Sequence, residues 1–112
     1  MKTILLESSI AGQEGRVHVI SKRRLVEAGR RHPDAVPSLM RWYRAAKVAR
    51  WKDVHEVRVE FPHADPVGKF TVFNVKKNDY RLITVIHYNR FKVYIRAVLT
   101  HSEYDKGDWK GD

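Results

Sequence analysis

Three β-rich runs at 69–76, 80–88 and 91–99 follow one another with almost nothing between them, and this spacing restricts the fold more than any other feature of the chain. The intervening stretches, Lys77-Asn78-Asp79 and Asn89-Arg90, are short polar turns. Parallel pairing needs a crossover of a dozen residues or more, so connections this short leave only antiparallel hairpins. An antiparallel meander is therefore expected.

The stretch before the meander has a helical texture. Residues 1–15 lack periodicity and read as a loose extension, leaving 16–112 as a single domain. Residues 16–20 alternate and fit a short opening strand. Ser21 is placed to N-cap a helix running to about Arg31, which carries Lys22, Arg23, Arg24, Arg30 and Arg31 and ends before Pro33. Asp34 is expected to cap a second helix with Pro37 in its first turn. Its apolar stripe is Val36, Leu39, Met40, Tyr43 and Ala46, at spacings of three and four. Residues 53–61 fit a helix through Val54, Val57 and Phe61, or a strand through Val57, Val59 and Phe61. Residues 63–68 read as a loop. Helices first and a meander second make the fold α+β.

Charge narrows the partners. Lys and Arg number 22 against 13 Asp and Glu, a formal net charge of +9. A field of that sign attracts polyanions, and nucleic acid is the leading class. Cysteine is absent, which excludes disulfides, thiolate zinc sites and cysteine nucleophiles. No apolar run is long enough for a membrane span or a secretory signal, so a cytoplasmic location is expected. The six histidines show no zinc-binding helical pair, His63 and Asp65 lack a third ligand, and Asp53, Glu56 and Glu60 suit a solvated helix face. No metal or cofactor is expected.

The chemistry-bearing residues cluster at the end of the third run. Thr100 and Glu103 have capping-box spacing, so a short helix should start at His101 and stop at Gly107. His101 and Tyr104, three apart, then share a side of that helix. Alternation puts Lys92, Tyr94 and Arg96 on one face of the last strand, opposite Phe91, Val93, Ile95 and Leu99, and puts Arg81 and His87 on one face of the middle strand. Cutting RNA without a metal requires a base for the 2′-hydroxyl proton, a cation at the phosphorus centre and a proton donor for the leaving 5′-oxygen. Histidine, arginine and tyrosine meet those needs. Arg96, Arg81, His101 and Tyr104 are the catalytic candidates, and Lys76, Lys77 and Lys92 are candidates for holding the RNA. The same residues also fit plainer roles: His101 at a helix surface, Tyr104 as an anchor to the sheet, Arg96 as a partner for Glu103.

The runs Phe73-Asn74-Val75, Tyr80-Arg81-Leu82-Ile83 and, most specifically, Tyr94-Ile95-Arg96-Ala97-Val98-Leu99-Thr100-His101-Ser102-Glu103-Tyr104-Asp105 carry a family likeness. From about His18 to Asp105 the chain resembles the HigB toxins of bacterial type II toxin–antitoxin systems, relatives of the RelE group. The resemblance implies a RelE-like fold, with helices on one face of a small antiparallel sheet. It also implies an endoribonuclease that cuts mRNA, usually on the translating ribosome. The partner it implies is a helix-turn-helix antitoxin, HigA-like, in a toxin–antitoxin heterotetramer that meets operator DNA only through the antitoxin. The family's basic strand residues and C-terminal histidine or tyrosine would fall on Arg81, Arg96, His101 and Tyr104. Wider members of the superfamily poison gyrase instead, and a plain RNA-binding module using Tyr88, Phe91 and Tyr94 is a third possibility.

Overall fold

The computed structural model describes residues 18–111. The expected 1–15 extension and the start of the opening strand lie outside them. The elements run β1 (His18–Ile20), α1 (Lys22–Arg31), α2 (Val36–Val48), α3 (Val54–Glu60), β2 (Asp65–Val67), β3 (Phe70–Val75), β4 (Tyr80–His87), β5 (Lys92–Thr100) and α4 (His101–Lys106). Short 3-10 turns occupy Pro33–Ala35, Tyr88–Arg90 and Asp108–Gly111. The sheet order is β1-β5-β4-β3-β2. β2 to β5 form the antiparallel meander, and β1 closes the far edge by pairing parallel to β5. This is the expected α+β class, with α1 to α3 on one face of a small sheet and the short α4 packed at the other.

Helices α1 to α3 cover the first of these faces. Leu25 and Ala28 of α1, Leu39, Trp42 and Ala46 of α2, and Val57 of α3 meet Phe73, Leu82, Val93, Ile95 and Val98 of the strands. Phe73 is the hub, with the rings of Trp42 and Phe61 each edge-on to it at 5.3 Å. The α2 stripe is rotated from the expected one. Leu39, Trp42 and Ala46 are fully buried, Met40 and Tyr43 half-buried, and Val36 37% exposed. The axis of the stripe runs through Trp42, so Val36 falls at its margin.

Two expected caps are not formed. Ser21 adopts a left-handed conformation, φ 71°, and makes no side-chain bond to α1, because an N-cap needs an extended backbone to aim its oxygen at the first turn. Asp34 lies inside the Pro33–Ala35 turn, ahead of the start of α2 at Val36. Its carboxylate accepts instead from the Tyr80 phenol at 2.8 Å and the Lys76 ammonium at 2.8 Å. Asp53, by contrast, accepts from the Glu56 amide at 2.9 Å, and that cap resolves the ambiguous 53–61 stretch as helix.

Two further departures matter for the site. Residues 65–67, expected as loop, form edge strand β2, where Pro66 is tolerated because an edge leaves one side of the backbone unpaired. Between the pairs Ile83↔Ala97 and Thr84↔Ile95 the β5 register slips by one residue, so Arg96 is the extra residue of a β-bulge. The bulge inverts the alternation beyond it. Val98 joins Val93 and Ile95 beneath the helices, while Leu99, expected with them, turns with Ala97 to the other face.

That second face has its own small core. Phe70, Val72 and Ile83 are buried there beneath Trp109, with Val85, Ala97, Leu99 and Tyr104 packed around them. No helix among the described residues is long and apolar enough to cross a membrane.

Candidate functional site

α4 begins where the capping box dictates. The Glu103 amide donates to Thr100 Oγ1 at 3.1 Å, and the Thr100 amide donates to Glu103 Oε1 at 2.9 Å. That amide bond holds the Glu103 carboxyl below the usual carboxylate range, so the cap stays ionised. Gly107 ends the helix in the left-handed conformation, φ 78°. These constraints fix how α4 presents Tyr104 to the second sheet face.

Tyr104 is clamped from two sides. Its ring stacks on Trp109 at 5.0 Å and 16°, and Trp109 Nε1 donates to the Tyr104 carbonyl at 2.9 Å. From β4 the Arg81 guanidinium comes within 5.4 Å of the Tyr104 ring centroid. Arg81 is itself steadied by donating through Nη1 to the carbonyls of Asn78 at 2.9 Å and Tyr80 at 3.2 Å. Arg81 and Tyr104 share a cavity of about 380 Å³ with Asn74, Asp65, His63 and Arg58. Burial, then the nearby Asp65 carboxylate, push the Tyr104 phenol up, with Arg81 opposing. The phenol is therefore a proton donor at neutral pH.

His101 stands one turn earlier on α4 and is half-exposed. Its Nδ1 lies 2.9 Å from Asp105 Oδ2, and its amide donates to the Asp79 carbonyl at 3.1 Å. A carboxylate on Nδ1 orients the ring and leaves Nε2 as the nitrogen for proton exchange. His101 does not line the Arg81–Tyr104 cavity. Arg96 does not line it either. Exposed at the bulge, Arg96 borders a cavity of about 580 Å³ against α1, where Arg23, Arg31 and Glu103 also lie, and a second of about 400 Å³. No ion pair forms between Arg96 and Glu103 among the described residues, since the glutamate is engaged with Thr100.

Of the lysines, Lys76 is drawn onto Asp34, a bond that raises its pKa and lowers that of Asp34. Lys77 is exposed in the β3–β4 turn with φ 58°, and Lys92 faces His87 across the ladder. Among the described residues, no three His, Asp or Glu side chains gather as a metal-ligand set.

Asn74, which carries part of the family likeness, and Arg58 are not among the site candidates that the sequence offers, and His63 and Asp65 enter there only as metal ligands. Asn74 was within reach of sequence reasoning, because the β3–β4 register sets it opposite Arg81. Arg58 and His63 arrive through the packing of α3 and the loop after it, which no local pattern encodes. The assembled cavity places a guanidinium, a protonated phenol, an amide and an imidazole on one sheet face. It can bind an anion, spread developing charge and supply a proton.

A family model described as the RelE-like toxic component of a toxin–antitoxin system matches residues 35–107. The mRNA interferase HigB of Escherichia coli O6:H1 is 30% identical over 93 residues, covering 80% of this chain and 90% of that protein. The mRNA interferase toxin HigB of Escherichia coli K12 and the mRNA interferase HigB of Shigella flexneri are each 29% identical over 92 residues, covering 80% of this chain and 88% of theirs. The matched segment includes Arg81, the bulge at Arg96 and the whole of α4, and on this ground the chain belongs to the HigB toxin family of toxin–antitoxin systems.

Proposed function

We propose that this protein is a cytoplasmic mRNA interferase that arrests translation by cutting mRNA on the ribosome, without a metal ion. The observation that carries the reading is the approach of Arg81 to Tyr104 on the sheet face not covered by α1 to α3. The printed names of the relatives point the same way. In this scheme the 2′-hydroxyl attacks the adjacent phosphorus, and the bond to the 5′-oxygen breaks. His101, oriented by Asp105, takes the hydroxyl proton. Arg81 balances charge on the phosphoryl oxygens, Tyr104 protonates the leaving oxygen, and Arg96 steers the strand. Lys77 and Lys92 hold the RNA backbone, with Lys76 contributing as far as Asp34 allows.

A toxin of this family has an antitoxin partner. We place that partner as a HigA-like helix-turn-helix protein that blocks the sheet face in a heterotetramer and alone touches operator DNA. The test is brief induction of wild type, Arg81→Ala and Tyr104→Phe in bacteria, with mapping of mRNA 5′ ends. Wild type should create new ends bearing 5′-hydroxyls, and each variant should reduce them at least about 100-fold, the usual loss for one transition-state donor. Intact mRNA under wild-type induction, with toxicity that tracks gyrase alleles, would overturn the reading.

A further inference from the structure

Arg81 and His87 occupy one side of β4 at its two ends, about 20 Å apart at the rise of a strand. Beside His87 the sheet face holds the cavity of about 400 Å³, lined by Lys69, Val85, His87, Tyr94, Arg96 and Arg24 among others. That volume lies in the range of small-ligand sites. The His87 and Tyr94 rings meet edge to face, with centroids 5.2 Å apart at 74°, an arrangement that leaves ring surface open for stacking. Val85 supplies apolar wall. Among the described residues three cations border the space and no acidic residue does, whereas the cavity against α1 carries Glu27 and Glu103 and the Arg81–Tyr104 cavity carries Asp65. The bulge contributes directly. It frees Arg96 from the strand's alternation, and Arg24 Nη1 fixes the bulge by donating to the Arg96 carbonyl at 2.7 Å.

We propose that this cavity is a nucleotide subsite: His87 and Tyr94 receive the base of an unpaired RNA nucleotide, while Arg24, Arg96 and Lys69 bind its phosphate. The proposal rests on the reading of the protein as an RNA-cutting toxin and deepens it. Aromatic faces set among cations on a sheet suit single-stranded RNA, because every base has a π-face and every linkage an anion. An acidic peptide would use the cations and leave the rings without a role. Tyr94 lies opposite Val85 in the ladder, about 13 Å along the strand from Arg81, so the subsite would hold a base a few nucleotides from the cut and bias which positions are cut.

The test uses the full chain and a short unstructured RNA, fluorescently labelled and 2′-O-methylated so that it cannot be cleaved. Binding is read by anisotropy for wild type, Tyr94→Leu, Tyr94→Phe and His87→Ala, with circular dichroism to verify folding. Tyr94→Leu should weaken binding about tenfold, the loss of one stacked base, and Tyr94→Phe should stay close to wild type. His87→Ala removes an exposed ring with little risk to folding and should weaken binding several-fold. In cells, the positions of mRNA cleavage should shift in both weakened variants. Folded Tyr94→Leu and His87→Ala proteins that bind and cut as wild type does would overturn the subsite. So would loss of a poly-glutamate peptide in those variants with RNA affinity unchanged, which would assign the cavity to an acidic protein. If wild type leaves mRNA intact while Tyr94→Leu still weakens RNA binding, the cleavage reading fails and the subsite stands.

Discussion

Trp109 holds the candidate centre together from outside the segment that the family match covers, and its removal should be costly. The indole is 8% exposed, stacks on Tyr104, stands edge-on to Phe70 at 5.3 Å and donates to the Tyr104 carbonyl. Truncating a core tryptophan to alanine costs about 3–5 kcal/mol. The low end applies here, because Trp109 sits in a short 3-10 turn that can relax over the gap. Trp109→Ala should therefore lose about 3 kcal/mol, a melting temperature lower by roughly 12 °C for a domain of this size. Trp109→Phe keeps an aromatic lid and forfeits the indole bond. The Tyr104 carbonyl still accepts from the Gly107 amide at 3.1 Å, so that variant should lose only about 1 kcal/mol. Equilibrium urea unfolding with unchanged m-values measures both. Cleavage should fall sharply in the alanine variant, which unmoors Tyr104, and largely persist in phenylalanine. A loss below about 1 kcal/mol for Trp109→Ala would refute the claim that this lid secures α4.

Asp105→Asn should cut mRNA more slowly while His101→Ala cuts slower still, because the carboxylate only orients the ring; equal rates in all three proteins, by 5′-end mapping, would remove His101 from the mechanism. The Asp34 pKa is lowered by its bonds from Lys76 and Tyr80, so its contribution is present above the ordinary value of 3.8 and lost as pH falls through the lower folded value. Lys76 and Tyr80 are raised by the same carboxylate, so their contributions hold below 10.5 and 10.0 and fade as pH climbs past them. Thermal melts of Asp34→Ala should thus fall below wild type across the neutral range and converge with it in strong acid and strong alkali. Gly29→Ala should destabilise by about 1 kcal/mol despite alanine's better helix propensity, because the new Cβ would lie 2.8 Å from Val36 Cγ2. Adding Val36→Ala should restore the loss, as read by urea unfolding.

The meander was legible because its signals are local: alternation along each run and turns too short for any other connection. The α4 capping box was legible for the same reason, since Thr100 and Glu103 need only each other. What escaped depends on contacts between distant segments. Nothing near Asp34 says that its carboxylate will be claimed by Tyr80, a residue with its own place in another element. The bulge left a faint trace, the unbroken apolar run Ala97-Val98-Leu99, where alternation stops. Strict alternation through that run put Leu99 on the wrong face, and it could not show that Arg96 is the extra residue. The four catalytic candidates lie near one end of the sheet in sequence, yet among the described residues Arg81 and Tyr104 share a cavity that His101 and Arg96 do not line, because α4 turns Tyr104 inward onto Trp109 while His101 stays at the surface.

The parallel pairing of β1 with β5 has a temporal meaning. His18 meets Lys92, so β1 must wait for β5, made more than seventy residues later, before it has a strand neighbour among the described residues. The bulged strand, Tyr104 and Trp109 all follow β4 in the element order. In the order of synthesis the sheet therefore stays open at β1 until β5 has emerged, and the cavity shared by Arg81 and Tyr104 is closed later still, when α4 follows.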